Sequence, residues 1–292
     1  MPTILLWNDD WKMAGAGRPL ALPGWVLTHD RWQAPIAEAI VFHLPTLDPA
    51  GLPTGRPPRQ RWVGWSMESE VNAPLFADAG FLARFDLTMS HRRDADVWAP
   101  YLPSREELMA PPVTKTELSP AVYIASNPRD SSGRTAYVAE LMRHVAVDSY
   151  GACLNNRVLA HDQGTATKLA TIARYRFTLA FENSIAPDYV TEKFFHALCA
   201  GSVPVVLGAP QIADFAPSPA SYIDASRDEP AALARRLRDL VADETAYRSM
   251  LAWKRAGPGA ALSAMLDATA VDPWSRLAGR LARSQRPING PA

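Results

Sequence analysis

Tyr175-Arg-Phe-Thr-Leu-Ala-Phe-Glu-Asn-Ser-Ile-Ala-Pro-Asp-Tyr-Val-Thr-Glu-Lys193 runs directly into Phe194-Phe-His-Ala-Leu-Cys-Ala-Gly-Ser-Val-Pro-Val-Val-Leu-Gly208. Residues 177–181 are apolar and aromatic enough for a strand, and Asn183 and Pro187 mark a loop. A helix over 191–200 is stopped by Gly201, and the wholly apolar run 203–207 reads as a buried parallel strand. In an open α/β sheet, ligands sit beyond the carboxyl ends of the strands, so Glu182, Asn183 and the loop to Tyr189 form the first candidate site. Asp188 or Thr191 can cap the helix, whose free amides suit an anion such as a diphosphate. Lys193 falls in the first turn, where the helix dipole disfavours a cation by a few tenths to about 1 kcal/mol, and a bound anion removes that conflict.

Working outward, strands at 121–126 and 146–149 alternate with helices at 133–145 and 165–175. A short strand at 221–224 precedes helices at 229–241, 245–255 and 273–283. Strand-like runs at 3–7, 25–29, 39–44, 61–65 and 85–90 fill the first hundred residues. This pattern predicts an α/β fold of two Rossmann-like domains facing a cleft. Five prolines between residues 100 and 120 suggest an exposed connection. The expected division is 1–115, a first α/β domain with its linker; 116–270, a Rossmann-like domain that carries the candidate site; and 271–292, a C-terminal helix and tail, with a return to the first domain left open.

The 292 residues contain 30 Lys plus Arg and 30 Asp plus Glu, so no net field exists to hold a nucleic acid. With 48% hydrophobic and 21% charged residues, the chain can bury a large core. Its only cysteines, Cys153 and Cys199, have neither disulfide nor zinc spacing. The apolar run at 4–7 lacks a basic flank and a cleavage site, so the sequence predicts no transmembrane segment and a cytoplasmic location, at most peripheral to a membrane.

The opening segment closely resembles the donor-binding signature of the α-1,3/1,4-fucosyltransferases, inverting enzymes of GT-B fold that use GDP-fucose. Their Phe-Glu-Asn, Tyr-(Val/Ile)-Thr-Glu-Lys and Val-Pro-Val elements correspond to Phe181-Glu182-Asn183, Tyr189-Val190-Thr191-Glu192-Lys193 and Val203-Pro204-Val205-Val206. The resemblance implies that Asn183, Tyr189, Glu192 and Lys193 contact GDP-fucose, with Lys193 on the diphosphate and Glu192 accepting from hydroxyls. A comparable Ser-Asn and Arg pattern, here Ser126, Asn127 and Arg134, implies Arg134 as a second phosphate ligand. Val147-Asp148-Ser149-Tyr150-Gly151 and Cys153 match a further family element whose role reads as structural.

An inverting transfer needs a base for the acceptor hydroxyl. The family's Glu-Ser pair corresponds to Glu68-Ser69 after the strand at 61–65, making Glu68 the expected base. Glu70 stands where relatives often carry Pro, so a second acid competes for the role. His91-Arg92-Arg93-Asp94-Ala95-Asp96-Val97 resembles the family's Tyr-Arg-x-Asp-Ser-Asp-Val, and its charges read as an ion-pair network rather than a metal site. Seven of the nine tryptophans lie in the first hundred residues. Trp11, Trp25 and Trp32 are the expected stacking surfaces for an acceptor oligosaccharide or glycoconjugate. If Lys193, Arg134 and a helix terminus neutralise the diphosphate, no cofactor or divalent metal is obligatory. The resemblance favours α-transfer to O3 of N-acetylglucosamine. Another GDP-sugar donor, or sugar-nucleotide binding without turnover, remains open.

Overall fold

The computed structural model describes residues 1–8, 22–159 and 161–284, which divide into two compact units. The first unit comprises Met1–Pro100 and Val271–Ala292. Its strands are β1 (Thr3–Leu6), β2 (Val26–Thr28), β3 (Ala39–His43), β4 (Arg61–Ser66), β5 (Leu87–Ser90) and β6 (Val97–Trp98). They form one parallel sheet in the order β2-β1-β3-β4-β5-β6. Side chains alternate across it. Ile4, Val41, Val63 and Met89 pack on one face with Leu277 and Leu281 of the helix Pro273–Ser284, while Leu5, Ile40, Phe42 and Trp62 meet Phe76, Phe81 and Phe85 on the other.

The second unit, Tyr101–Ala270, has strands β7 (Ala121–Ile124), β8 (Val147–Tyr150), β9 (Phe177–Phe181), β10 (Val203–Leu207) and β11 (Ile223–Asp224). All pair in parallel, in the order β11-β10-β9-β7-β8. Both β9 and β10 are buried along their whole length, which explains their unbroken apolar sequence. The chain moves outward from β7 to β8 and then returns to the other side of β7 as β9. A crevice therefore opens at the carboxyl ends of β7 and β9, where the strand order reverses.

Two features depart from the sequence expectation. The units part at Pro100 and Tyr101 rather than at 115/116, because the segment read as a linker docks on the second unit. Ser104 and Glu107 form a capping box on the helix Arg105–Met109, Leu108 is buried, and the Lys254 ammonium donates to the Leu108 and Ala110 carbonyls. The chain also forms a helix over Ala260–Ala268 and the two-residue strand β6, neither of which the apolar spacing announced. The terminal helix belongs to the first unit, where Trp274 packs on Trp65 with ring centroids 6.0 Å apart.

Candidate functional site at the strand-order reversal

The crevice is built by two loops, one after β7 and one after β9. Arg134 opens the helix Arg134–Leu141 and is only 1% exposed. Its guanidinium donates to the Phe181 carbonyl at 3.2 Å and to the Asn127 carbonyl at 2.8 Å, tying the two loops together. Ser132 donates to the Glu182 carbonyl at 2.6 Å, and the amides of Ser131 and Ser132 converge on the Asn183 carbonyl. Asp130 accepts from the amides of Arg134 and Thr135, so a protein carboxylate occupies that helix terminus. Hydrogen bonds from those groups outweigh burial and hold the Asp130 carboxyl below its ordinary pKa.

After β9, Glu182 is 2% exposed. Its carboxylate accepts from the Thr191 amide at 2.8 Å, from the Thr191 hydroxyl at 2.8 Å and from Lys193 Nζ at 3.0 Å. Thr191 caps the helix Glu192–Cys199, and its oxygen also accepts from Lys193 Nζ at 2.8 Å. The conflict between Lys193 and the helix dipole is thus resolved internally by Glu182, before any ligand arrives. Gly208, just beyond β10, approaches this frame closely: a Cβ there would lie 3.0 Å from Glu182 Cγ and press on it.

Glu192 Oε1 lies 3.4 Å from Lys193 Nζ and 3.7 Å from Lys168 Nζ. Burial opposes ionisation of Glu192, but Lys193, Lys168 and His196 prevail and hold its pKa at about 2. Burial works against the Lys193 charge too, yet Glu182 and Glu192 keep its pKa above the ordinary value. The result is a protonated lysine, about one-fifth exposed, in a rigid carboxylate frame. His196, on the same helix, is pushed down to about 4, first by burial and then by Lys168.

His196 gives a pH prediction. Its folded pKa lies below the unfolded value of about 6.5, so between those values the unfolded chain binds more protons and stability rises with pH. Wild-type stability should be complete above about pH 6.5 and fall as pH drops towards 4, with a flatter slope for His196→Gln. Urea unfolding between pH 7 and pH 5 reads this, and parallel slopes would discard the assignment.

Of the sequence-predicted residues, Arg134, Asn183, Tyr189, Glu192 and Lys193 all lie on the two crevice loops or the helices they open. Asn183 and Tyr189 are 5% and 2% exposed. Arg134 differs from the open phosphate fork implied by the resemblance, since two of its donors already hold backbone carbonyls. Its Nε and the Tyr123 hydroxyl are buried with no partner among the described residues. Sequence reading placed neither Tyr123 nor Lys168 in the site, because Tyr123 sits in a strand alternation that marks it as core. The scaffold role of Glu182 and Thr191 depends on a contact nine residues apart that periodicity does not encode.

In the first unit, Glu68 follows the carboxyl end of β4. Ser66 donates to the Glu68 carbonyl at 2.8 Å, and Asn72 Nδ2 donates to its carboxylate at 3.2 Å. Glu70 instead faces Arg92 at 3.5 Å, and Arg92 pairs with Asp94 at 2.6 Å. Asp96 accepts from the Thr88 amide and pairs with Arg280, so the ion-pair reading of this segment holds. Trp25 packs on the first-unit core, Trp32 is 92% exposed, and Trp11 lies outside the described residues.

Comparison with known proteins identifies the family. Residues 113–287 match the family description "Glycosyltransferase family 10 (fucosyltransferase) C-term", and residues 1–102 match "Fucosyltransferase, N-terminal". The chain is 37% identical over 280 residues to the 4-galactosyl-N-acetylglucosaminide 3-alpha-L-fucosyltransferase of Pan troglodytes, covering 87% of this chain and 73% of the relative. It is 36% identical over 242 residues to the GDP-fucose protein O-fucosyltransferase 3 of Gallus gallus, covering 76% of this chain and 50% of the relative. The chain spans about half the length of several curated relatives, and 37% of one. A solved alpha1,3-fucosyltransferase with GDP-fucose superposes with a TM-score of 0.56 at 16% identity, covering 86% of this chain and 82% of that one. The two parallel α/β units are of the GT-B type, and among the described residues no helix is long and apolar enough to cross a membrane. Two family descriptions that together span nearly the whole sequence, and relatives above one-third identity, place the chain in glycosyltransferase family 10, the fucosyltransferases.

Proposed function

We propose that the chain is an inverting fucosyltransferase that moves L-fucose from GDP-β-L-fucose to an acceptor hydroxyl, forming an α-linkage. The observation that carries this reading is the protonated Lys193 at the strand-order reversal, braced by Glu182, Thr191 and Glu192. A leaving diphosphate needs a fixed cation, and a preorganised ammonium supplies it without reorganisation during the reaction. In this proposal Lys193 takes that part without a divalent metal, and the buried Arg134 holds together the two loops around it. Glu192 stays ionised and so presents acceptor oxygens to the ribose or sugar hydroxyls. Glu68 takes the acceptor proton.

O3 of N-acetylglucosamine is the proposed acceptor position, by likeness to the chimpanzee relative. A second reading, transfer to a protein hydroxyl, is favoured by the likeness to the O-fucosyltransferase 3 group. Incubation with GDP-fucose against a glycan array and a panel of folded acceptor proteins, with linkage assigned on the product, separates the two. Turnover of another GDP-sugar in preference to GDP-fucose would reject the donor assignment.

Two variants address the donor site. Lys193→Met loses a charge-assisted contact of about 1.5–3 kcal/mol, so GDP affinity should fall roughly 10- to 150-fold by calorimetry. Glu192→Gln keeps the side-chain volume but replaces an acceptor oxygen with a donor, so KM for GDP-fucose should rise with the fold intact. Wild-type kinetics for Glu192→Gln would remove that residue from the donor site.

A further inference from the structure

We propose that the second unit carries an additional binding site, at the opposite end of its sheet from the GDP crevice, for a small multiply charged anion of the pyrophosphate or sugar-phosphate class. Arg176 immediately precedes β9, and Glu182 immediately follows it. Five strand residues at about 3.3 Å each therefore separate the two ends by roughly 16 Å. A cavity of about 770 Å³ lies at the amino end, formed entirely by the second unit. Its charged lining is Lys115, Arg176, Arg248, Lys254, Arg255 and Glu244.

Five cations therefore face one carboxylate. Glu244 is shared between Arg176 at 2.7 Å and Arg248 at 2.8 Å, which leaves the remaining positive charge uncompensated. Lys115 has its ammonium on the Ala173 carbonyl at 2.8 Å, and Lys254 has its own on the carbonyls of Leu108, Ala110 and Cys199. Those dipoles orient the ammonium groups without cancelling their charge. Burial, together with repulsion from Lys254 and Arg176, brings the Lys115 pKa down to about 8, and burial brings Lys254 to about 8 as well. Burial is the main cause for both lysines, and only at Lys115 do neighbouring cations add to it.

A multivalent anion would supply the counter-charge, whereas a neutral ligand or a metal ion would leave the excess unrelieved or add to it. Arg255 is exposed, and Arg176 stacks 4.8 Å from the Tyr247 ring, so the cavity presents both a solvent-facing and a braced guanidinium for oxyanion contact. This site uses none of the residues at the GDP crevice. It therefore stands whether or not the donor reading does.

The test titrates inorganic pyrophosphate into the full chain at 150 mM salt with GDP saturating, and reads calorimetric heat and thermal shift. Wild type should bind pyrophosphate although GDP fills the crevice. Lys115→Gln/Arg255→Gln alters one half-buried and one exposed side chain, so it should stay folded and bind about tenfold more weakly or worse. Arg227→Gln/Arg235→Gln removes two exposed charges elsewhere in the same unit and should bind as wild type. Equal loss in both double variants would mean only a general charge effect, and unchanged affinity in Lys115→Gln/Arg255→Gln would overturn the site. Pyrophosphate binding seen only when GDP is left out would assign the pyrophosphate to the GDP crevice and overturn the site equally.

Discussion

Glu68→Gln is expected to lower the turnover rate constant by about 10²- to 10⁴-fold, the range typical of losing a general base, while GDP affinity stays at the wild-type value. The amide keeps the shape of the carboxylate but cannot take the acceptor proton. Asn72 Nδ2 donates to the Glu68 carboxylate at 3.2 Å, which orients it. Glu70→Gln is the internal control, because the Glu70 carboxylate is directed at Arg92. Single-turnover kinetics with GDP-fucose, alongside GDP calorimetry, separate a chemical defect from a binding defect. A near-wild-type rate for Glu68→Gln with turnover abolished in Glu70→Gln would move the base by two residues.

The second unit was legible from sequence because its strands are buried on both faces and its helices are amphipathic. An apolar run such as Val203–Leu207 has one sensible place in an α/β sheet. A candidate site beyond the strand carboxyl ends was readable from the alternation of elements, whereas the strand order and its reversal between β7 and β9 came only with the structure. What escaped was interaction at distance. Ser104-x-x-Glu107 is a readable capping box, but its docking on Lys254 joins residues about 146 positions apart, and five nearby prolines suggested an open linker instead. Likewise Arg134 reads as a surface residue at a helix start, yet parallel pairing brings the Phe181 and Asn127 carbonyls to its guanidinium. Glu182 illustrates the same limit. Its sequence position after β9 suggested a ligand contact, whereas its carboxylate is spent holding Thr191 and Lys193.

That role for Glu182 sets the other large effect. Lys193→Met should destabilise the fold by about 3–5 kcal/mol at pH 7, because it leaves a carboxylate buried without its cation. Glu182 is 3% exposed at its side chain and, among the described residues, retains only the Thr191 amide and hydroxyl as donors. Burial already pushes its carboxyl above the ordinary pKa, and losing Lys193 pushes it further. The folded variant then binds more protons than the unfolded chain over the acidic range, so its stability must fall as pH rises through the unfolded carboxylate pKa and beyond. The deficit relative to wild type should accordingly shrink between pH 7.5 and pH 5, opposite in slope to the contribution of His196. Glu182→Gln/Lys193→Met removes both charges while keeping an acceptor for the Thr191 amide, and it should recover most of the loss. Urea unfolding of wild type, both single variants and the double variant at the two pH values completes the cycle. A deficit that does not change with pH, or a double variant no more stable than Lys193→Met, would show that Glu182 and Lys193 act on stability independently and that the lysine is not held in place by the buried acid.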